Sequence, residues 1–136
     1  MLDDCFLDSN ILLYTLDRDT KKQEIAFALW RQGVVLSTQV VMEFTNVCLR
    51  KLNLSKEESY QNALNLMDGA VVKPITQKSI HIAFDISRKY GFSHWDSLII
   101  ASSREAGCNT LYSEDFQHGQ VINGKLKIVN PFLGRR

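Results

Sequence analysis

Residues 5–14 read CFLDSNILLY, and this segment predicts where a buried sheet begins. Its first three residues are an apolar run, which predicts a short strand, and Asp8 follows that run directly. Asp8, Ser9 and Asn10 could form a simple turn, but a turn does not need the apolar residues 11–14 that come next. We therefore expect Asp8 to be tethered close to the core rather than placed on a free surface.

Beyond this segment, short apolar runs alternate with segments of helical period, a pattern typical of an α/β sandwich around a parallel sheet. Further strands are predicted at residues 34–36, 70–75, 110–113 and 127–129, and Pro74 marks an edge strand or an exit from the sheet. The helices are expected to begin at Asp19 or Thr20, at Thr38, at Ser55 and at Ser93, with one more ending at Gly91. Helical spacing turns Tyr60, Leu64 and Met67 inward. We assign Phe92 and Trp95 to the core rather than to stacking on bases.

The composition is that of an ordinary globular chain. It has 136 residues, 45% of them hydrophobic, and 16 basic residues against 15 acidic ones give a net charge of +1. We expect residues 1–136 to form a single domain, because the chain contains no internal repeat, linker or low-complexity segment. The near-neutral charge argues against binding of nucleic acid through gross positive charge, and a chain of this length can bury a real core, which argues against disorder.

The two ends of the chain differ in the sign of their charges. The acids of residues 1–19 are Asp3, Asp4, Asp8, Asp17 and Asp19, and the charged residues after Asp115 are Lys125, Lys127, Arg135 and Arg136. Either an acidic pocket beside a basic surface or scattered solvated charges would explain this pattern. The three cysteines have no ligand spacing, the first residues lack a secretory signal, and no apolar run is long enough for a membrane span. We expect a cytoplasmic protein that does not bind membranes.

Four acids follow predicted strands or open predicted helices: Asp8, Glu43, Asp96 and Asp115. Sites in open α/β sheets form outside the carboxyl ends of the strands, so these side chains are expected to share a pocket. Clustered carboxylates repel one another unless a cation compensates, and oxygen ligands without matching His or Cys favour Mg²⁺ or Mn²⁺ over Zn²⁺. Such an ion can bind a phosphate oxygen and activate a water for phosphodiester hydrolysis. For Asp96 and Asp115, simple complementing of helix dipoles is the competing interpretation.

Five segments resemble, in their order and spacing, the PIN domain family and within it the VapC-type ribonuclease toxins of toxin–antitoxin pairs. They are FLDSNILLY (6–14), STQVVMEFTNV (37–47), FSHWDSLIIA (92–101), LYSEDFQHG (111–119) and KIVNPF (127–132). The resemblance implies a three-layer α/β/α sandwich with a central parallel sheet and an acidic Mg²⁺ site. It implies that Asp8, Asp96 and Asp115 hold the metal, and that Glu43 positions the metal or the nucleophilic water.

Three neighbouring residues belong to the same motifs. Asn10 matches the family's asparagine two residues after the first acid, where its amide can orient a carboxylate. Ser113 matches the Ser or Thr that precedes the fourth acid. Glu114 and Asp115 are adjacent, so either could be that acid, and we prefer Asp115 because it fits the T-x-D pattern.

The resemblance also implies a substrate and protein partners. A Mg²⁺-dependent endoribonuclease of this kind hydrolyses RNA, and the phosphate contacts are expected from Lys125, Lys127, Arg135 and Arg136, and further from Arg88 and Lys89. A solvated face is the competing interpretation for each of these cations. The implied protein partners are a small cognate antitoxin and a second copy of the chain, joined through helical faces in a homodimer.

Two other functions within the family remain open, namely a housekeeping RNA-processing nuclease and a catalytically idle PIN-like interaction module. The compact length and the segment KIVNPF favour the toxin, and the presence of all four acids disfavours the idle module. A haloacid-dehalogenase-like phosphatase is disfavoured because Asn10 stands where those enzymes have a second Asp for proton transfer.

Overall fold

A six-stranded sheet forms the centre of the molecule in a computed structural model that describes residues 5–133. The strands are β1 (Cys5–Leu7), β2 (Val34–Ser37), β3 (Ala70–Lys73), β4 (Thr110–Tyr112), β5 (Val121–Ile122) and β6 (Leu126–Val129). The helices are α1 (Ser9–Leu13), α2 (Thr20–Arg31), α3 (Thr38–Arg50), α4 (Lys56–Asp68), α5 (Gln77–Tyr90) and α6 (His94–Glu105), and a 3₁₀ turn spans Tyr14–Leu16. This architecture confirms the predicted three-layer α/β/α sandwich.

The strand order is β3-β2-β1-β4-β6-β5, and every pairing is parallel except that of β5 with β6. The chain runs outward from β1 through β2 to β3 and then returns to place β4 on the other side of β1. The strand order therefore reverses at β1, where Phe6 pairs with Val35 on one side and Leu111 on the other. In doubly wound sheets this reversal opens a crevice at the carboxyl ends of the two central strands.

The predicted helix starts are confirmed by side-chain caps. Ser37 caps α3, Ser93 caps α6, and Ser55 forms a capping box with Glu58 at the start of α4. Asp19, rather than Thr20, caps α2. Each cap pairs backbone N–H groups that would otherwise have no partner in the first helical turn.

Three short elements were not predicted, namely α1, the 3₁₀ turn at Tyr14–Leu16 and β5. Residues 9–13 form α1 instead of a turn, because Asp8 caps a helical turn whose Ile11 and Leu12 are buried. The two-residue strand β5 is too short to show periodicity in the sequence. In contrast, β3 ends at Lys73, directly before Pro74, and lies at the edge of the sheet as predicted.

The inward faces of some helices differ from the prediction. Tyr60 and Leu64 of α4 are 47% and 50% exposed, whereas Ala63 and Leu66 are buried. The buried residues of α4 are Ser59, Ala63 and Leu66, so its buried face is turned by about one residue from the predicted one, and Met67 is partly buried against the core as expected. Phe92 packs against the core as expected, but the assignment of Trp95 to the core is wrong, since its side chain is 68% exposed. No helix within residues 5–133 combines the length and apolarity needed to cross a bilayer.

Candidate active site

Asp8 lies at the carboxyl end of β1, where its backbone N–H donates to the carbonyl of Tyr112 at the end of β4 (3.0 Å). Its side chain is only 4% exposed. One carboxylate oxygen accepts from the backbone N–H of Ser9 at 2.7 Å, and the other accepts from the Ser113 hydroxyl at 2.8 Å. Burial raises the pKa of Asp8 to about 6; the two hydrogen bonds oppose the rise, and the charges of Glu43 and Asp115 add to it.

The Ser113 hydroxyl joins the ends of β1 and β4. It donates to Asp8 and accepts from the Asn10 side-chain amide (3.3 Å) and from the backbone N–H of Asp115 (3.1 Å). The Asn10 carbonyl oxygen in turn accepts from the backbone N–H of Glu114 at 3.4 Å. Asn10 therefore reaches the Asp8 carboxylate through Ser113, and the two residues together hold the loop after β4 against the start of α1.

Glu43 approaches the same crevice from the second turn of α3. Its carboxylate accepts from the Ser9 hydroxyl at 3.4 Å and from the Gln39 amide at 3.1 Å. Burial raises the pKa of Glu43, and the charges of Asp96 and Asp115 raise it further. The Gln39 amide nitrogen also donates to the backbone carbonyl of Trp95 at 3.2 Å, so a single side chain connects α3 to the first turn of α6.

Asp96 stands in that first turn, where its backbone N–H donates to the Ser93 hydroxyl at 3.1 Å. Burial raises its pKa, and the charge of Asp115 adds to the rise. Asp115, just past β4, acts electrostatically on Asp8, Glu43 and Asp96 alike. The structure therefore brings the four predicted acids together at one edge of the sheet, with Asp115 as their shared neighbour.

Glu114 points to a different set of partners. Its carboxylate accepts from the Tyr14 hydroxyl at 2.7 Å, and the charge of Glu114 acts on Tyr14 and on Lys22. Of the two adjacent acids, Asp115 is thus the one whose charge acts on the other three carboxylates.

The chemistry of this cluster fits a divalent cation that keeps part of its water shell. No lysine or arginine of residues 5–133 lies within ion-pair distance of the four carboxylates, although Asp8 is buried. In the same part of the chain, no three Asp, Glu, His or Cys side chains are close enough to ligate one ion directly. Mg²⁺ typically uses one or two carboxylates and several waters, so Asp8, Asp96 and Asp115 could hold a hydrated ion without all of them touching it.

Four of the six cations expected to bind RNA lie within the described residues, and their partners are other than the four acids. Lys125 precedes β6, so strand geometry places it roughly 13 Å from the carboxyl end of that strand. Lys127 pairs with Thr110 at the beginning of β4, and the Lys89 ammonium donates to the Asn123 side chain. Arg88 pairs with Asp85.

None of these four cations contacts the acids within the described residues. Arg135 and Arg136 lie outside the described residues, as do Asp3 and Asp4.

Sequence reasoning missed several residues that support the acids. Gln39 lies four residues before Glu43, so a helical wheel would have placed both on one face. Ser9 sits between the two matched residues Asp8 and Asn10. Lys22 contacts Tyr14, and no motif predicted that contact.

Comparison with known proteins identifies this fold. A family model of the PIN domain matches residues 5–122. The chain belongs to the PIN domain family. No curated protein matches the sequence.

Solved structures of similar fold include a toxin–antitoxin complex, FitAcB and the toxin VapC20. A toxin–antitoxin complex from Klebsiella pneumoniae is 20% identical, with a TM-score of 0.70 over 93% of this chain and 97% of that chain. FitAcB from Neisseria gonorrhoeae is 21% identical, with a TM-score of 0.69 over 95% and 99%. The Mycobacterium tuberculosis toxin VapC20, described as cleaving the sarcin-ricin loop, is 18% identical, with a TM-score of 0.66 over 82% and 89%. At these identities the likeness is one of fold.

Proposed function

We propose that this PIN domain is a divalent-metal-dependent endoribonuclease, served by Mg²⁺ or Mn²⁺, and that it acts as the toxin of a toxin–antitoxin pair. One observation carries the proposal: four carboxylates from remote parts of the chain gather at the sheet edge, with a buried Asp8 that no cation of residues 5–133 neutralises. An isolated buried carboxylate is costly unless a cation balances it. The idle module has no use for this arrangement.

The roles we propose divide the four acids into two groups. Asp8, Asp96 and Asp115 hold the ion, and Glu43 orients the attacking water. When bound, the ion would supply Lewis acidity at a phosphate oxygen and a water of lowered pKa. Ser113 and Asn10 hold Asp8 and the loop carrying Asp115 in position, while Ser9 and Gln39 hold Glu43.

The nuclease activity is tested directly with purified protein and a labelled single-stranded RNA. We expect internal cleavage with Mg²⁺ or Mn²⁺, none with EDTA, and none by Asp8→Asn. The matched control is Glu24→Gln, which neutralises an exposed acid of α2 away from the cluster. Full cleavage by Asp8→Asn, or no cleavage by the parent protein with either ion, would contradict the proposal.

We choose the toxin over a housekeeping nuclease because of the solved structures that have a similar fold. Two of the structures named above are a toxin and a toxin–antitoxin complex, and the alignments cover most of both chains. We propose a small antitoxin as partner, whose peptide covers the acidic crevice, and a cytoplasmic location for a domain spanning residues 1–136. Induction of the chain alone should arrest growth, and co-expression of the adjacent reading frame should restore it. Normal growth on induction of an active nuclease would instead favour the housekeeping function.

We also propose that the protein forms a homodimer through an apolar helical face. Met42, Ile75, Trp95 and Leu98 form the apolar part of an open groove of about 700 Å³, whose polar part includes Gln39 and Glu43. Met42 and Trp95 are largely exposed, and the exposed Phe84 ring packs edge-on against His94, next to Trp95. Light scattering should give twice the chain mass for the parent protein and the monomer mass for Phe84→Lys. A monomeric parent protein at working concentrations would contradict the dimer.

A further inference from the structure

Lys22 of α2 has an ammonium group that is held by two aromatic rings and a hydroxyl. The Lys22 ammonium donates to the Tyr14 hydroxyl at 3.4 Å. It lies 4.7 Å from the centre of the Tyr14 ring and 5.5 Å from the centre of the Phe132 ring. These two rings pack edge to face, with centres 4.8 Å apart. Two aromatic faces and one hydroxyl therefore define the position of the charge, which is unusual for a lysine near the surface.

A chain of hydrogen bonds links this lysine to Asp8. The Tyr14 hydroxyl donates to Glu114 at 2.7 Å, and the backbone N–H of Glu114 donates to Asn10. Asn10 donates to Ser113, which donates to Asp8. Lys22 thus belongs to the same hydrogen-bond network as Asp8. Within the part of the chain that the structure describes, no side-chain hydrogen bond joins this network to Arg88, Lys89, Lys125 or Lys127.

The Lys22 ammonium has donors to spare. An ammonium carries three N–H donors, and Tyr14 uses one of them. No carboxylate of the described chain lies within ion-pair distance of it. The hydrogen bond to Tyr14 raises the pKa of Lys22, so the side chain stays charged at neutral pH.

A strand of RNA that approaches four carboxylates meets a repulsive field, and its phosphates need a compensating cation close by. We propose that Lys22 binds a backbone phosphate of an RNA strand that occupies the acidic crevice, with Tyr14 and Phe132 fixing the ammonium in place. The contact contributes affinity and register without reading the base. This inference rests on the proposed function, because it assigns a substrate contact to that site.

The test compares Lys22→Gln with Lys21→Gln, which removes the same charge from the adjacent, exposed position. Equilibrium binding of a fluorescein-labelled single-stranded oligoribonucleotide is measured by anisotropy in EDTA, and kcat and KM are measured with Mn²⁺. We expect Lys22→Gln to weaken binding and raise KM several-fold with kcat within about twofold, and Lys22→Arg to restore both. The slope of log K against log salt should fall by about 0.7, the value for one phosphate contact on a single strand. Lys21→Gln should resemble the parent protein.

A second variant separates charge from packing. Lys22→Met keeps an unbranched apolar side chain over the two rings, so it should weaken RNA binding as Lys22→Gln does while keeping the parent Tm. Equal binding by Lys22→Gln and Lys21→Gln, parent-like binding by Lys22→Met, or a fall in kcat alone would overturn the assignment. So would loss of antitoxin binding without loss of RNA binding, or no RNA binding by the parent protein. If the parent protein binds RNA but does not cut it, the proposed nuclease fails while the phosphate contact can still stand.

Discussion

The hydroxyl of Ser113 donates to the Asp8 carboxylate at 2.8 Å, joining residues 105 positions apart in the chain. This bond crosses between the two central strands at the point where their order reverses. Ser113 also accepts from Asn10 and from the backbone of Asp115, so it connects the segment 6–14 with the segment 111–119. The Ser113 hydroxyl therefore links the buried Asp8 to the loop that carries Asp115.

Replacing Ser113 by Ala should therefore destabilise the ionised form of Asp8. A hydrogen bond to a charged group contributes about 1.5 to 3 kcal/mol, and its loss leaves the Asp8 oxygen buried and unpaired. We expect the free energy of unfolding to fall by about that amount at pH 8 and by less at pH 5, where Asp8 is mostly protonated. Denaturant titration at both pH values measures the difference. Ser102→Ala is the matched control, because that buried hydroxyl has no partner in the described structure; an equal loss in both variants would contradict this role for Ser113.

Replacing Asp8 by Asn should stabilise the metal-free protein at neutral pH. The pKa of Asp8 is raised from 3.8 to about 6 in the fold, so the folded state binds more protons than the unfolded chain between these values, and stability falls as pH rises through that range. The full shift in the pKa of Asp8 corresponds to about 3 kcal/mol. This is an upper value for the increase in the free energy of unfolding that Asp8→Asn should show at pH 7. Denaturation in EDTA from pH 4 to pH 8 should show the parent protein losing stability relative to the variant as pH rises. Parallel curves would rule out a raised pKa for Asp8.

Mn²⁺ should make the parent protein more stable than Asp8→Asn, because the ion should stabilise the parent protein alone. We expect Mn²⁺ to raise the Tm of the parent protein and to leave that of Asp8→Asn unchanged, with a larger effect at pH 7.5 than at pH 5.5, because Asp8 must lose its proton to bind the ion.

Asp115→Asn and Glu114→Gln decide which of two adjacent acids serves the site. Asp115 acts on the other three carboxylates, whereas Glu114 accepts from Tyr14. We expect Asp115→Asn to lower cleavage by more than the roughly 10- to 100-fold that outer partners of a metal site contribute, and to abolish the Mn²⁺ effect on Tm. Glu114→Gln should keep the Mn²⁺ effect. The reverse pattern would move the fourth acid to Glu114.

Gln39→Leu should loosen Glu43 without removing its charge. The Gln39 amide donates to both Glu43 and the carbonyl of Trp95, so the variant frees Glu43 from α6. We expect kcat to fall roughly tenfold, the kinetic equivalent of one lost hydrogen bond of about 1.4 kcal/mol, with little change in KM.

Gln61→Leu is the control for that variant, since it breaks an amide contact with Asn65 on the exposed side of α4. A parent-like kcat in Gln39→Leu would show that Glu43 does not need this support.

The elements of this fold were largely predictable because their signals are local. Apolar runs of three or four residues mark the parallel strands, and Ser37, Ser55 and Ser93 mark helix starts through hydrogen bonds to residues three positions on. The failures have a common cause. The exposed Trp95 and the turned face of α4 depend on which neighbouring helix covers a side chain, and a period of 3.6 residues does not contain that information.

The same distinction between local signals and long-range contacts applies to the candidate site. Sequence alone determined which residue types follow the strands, and hence that Asp8, Glu43, Asp96 and Asp115 could face one crevice. Tertiary structure decided that Glu114 turns to Tyr14, that Gln39 spans two helices and that Lys22, rather than Lys125 or Lys127, joins the hydrogen-bond network of Asp8. These outcomes depend on distances between segments up to about a hundred residues apart. Such distances follow from how the layers pack and from no local preference of the chain.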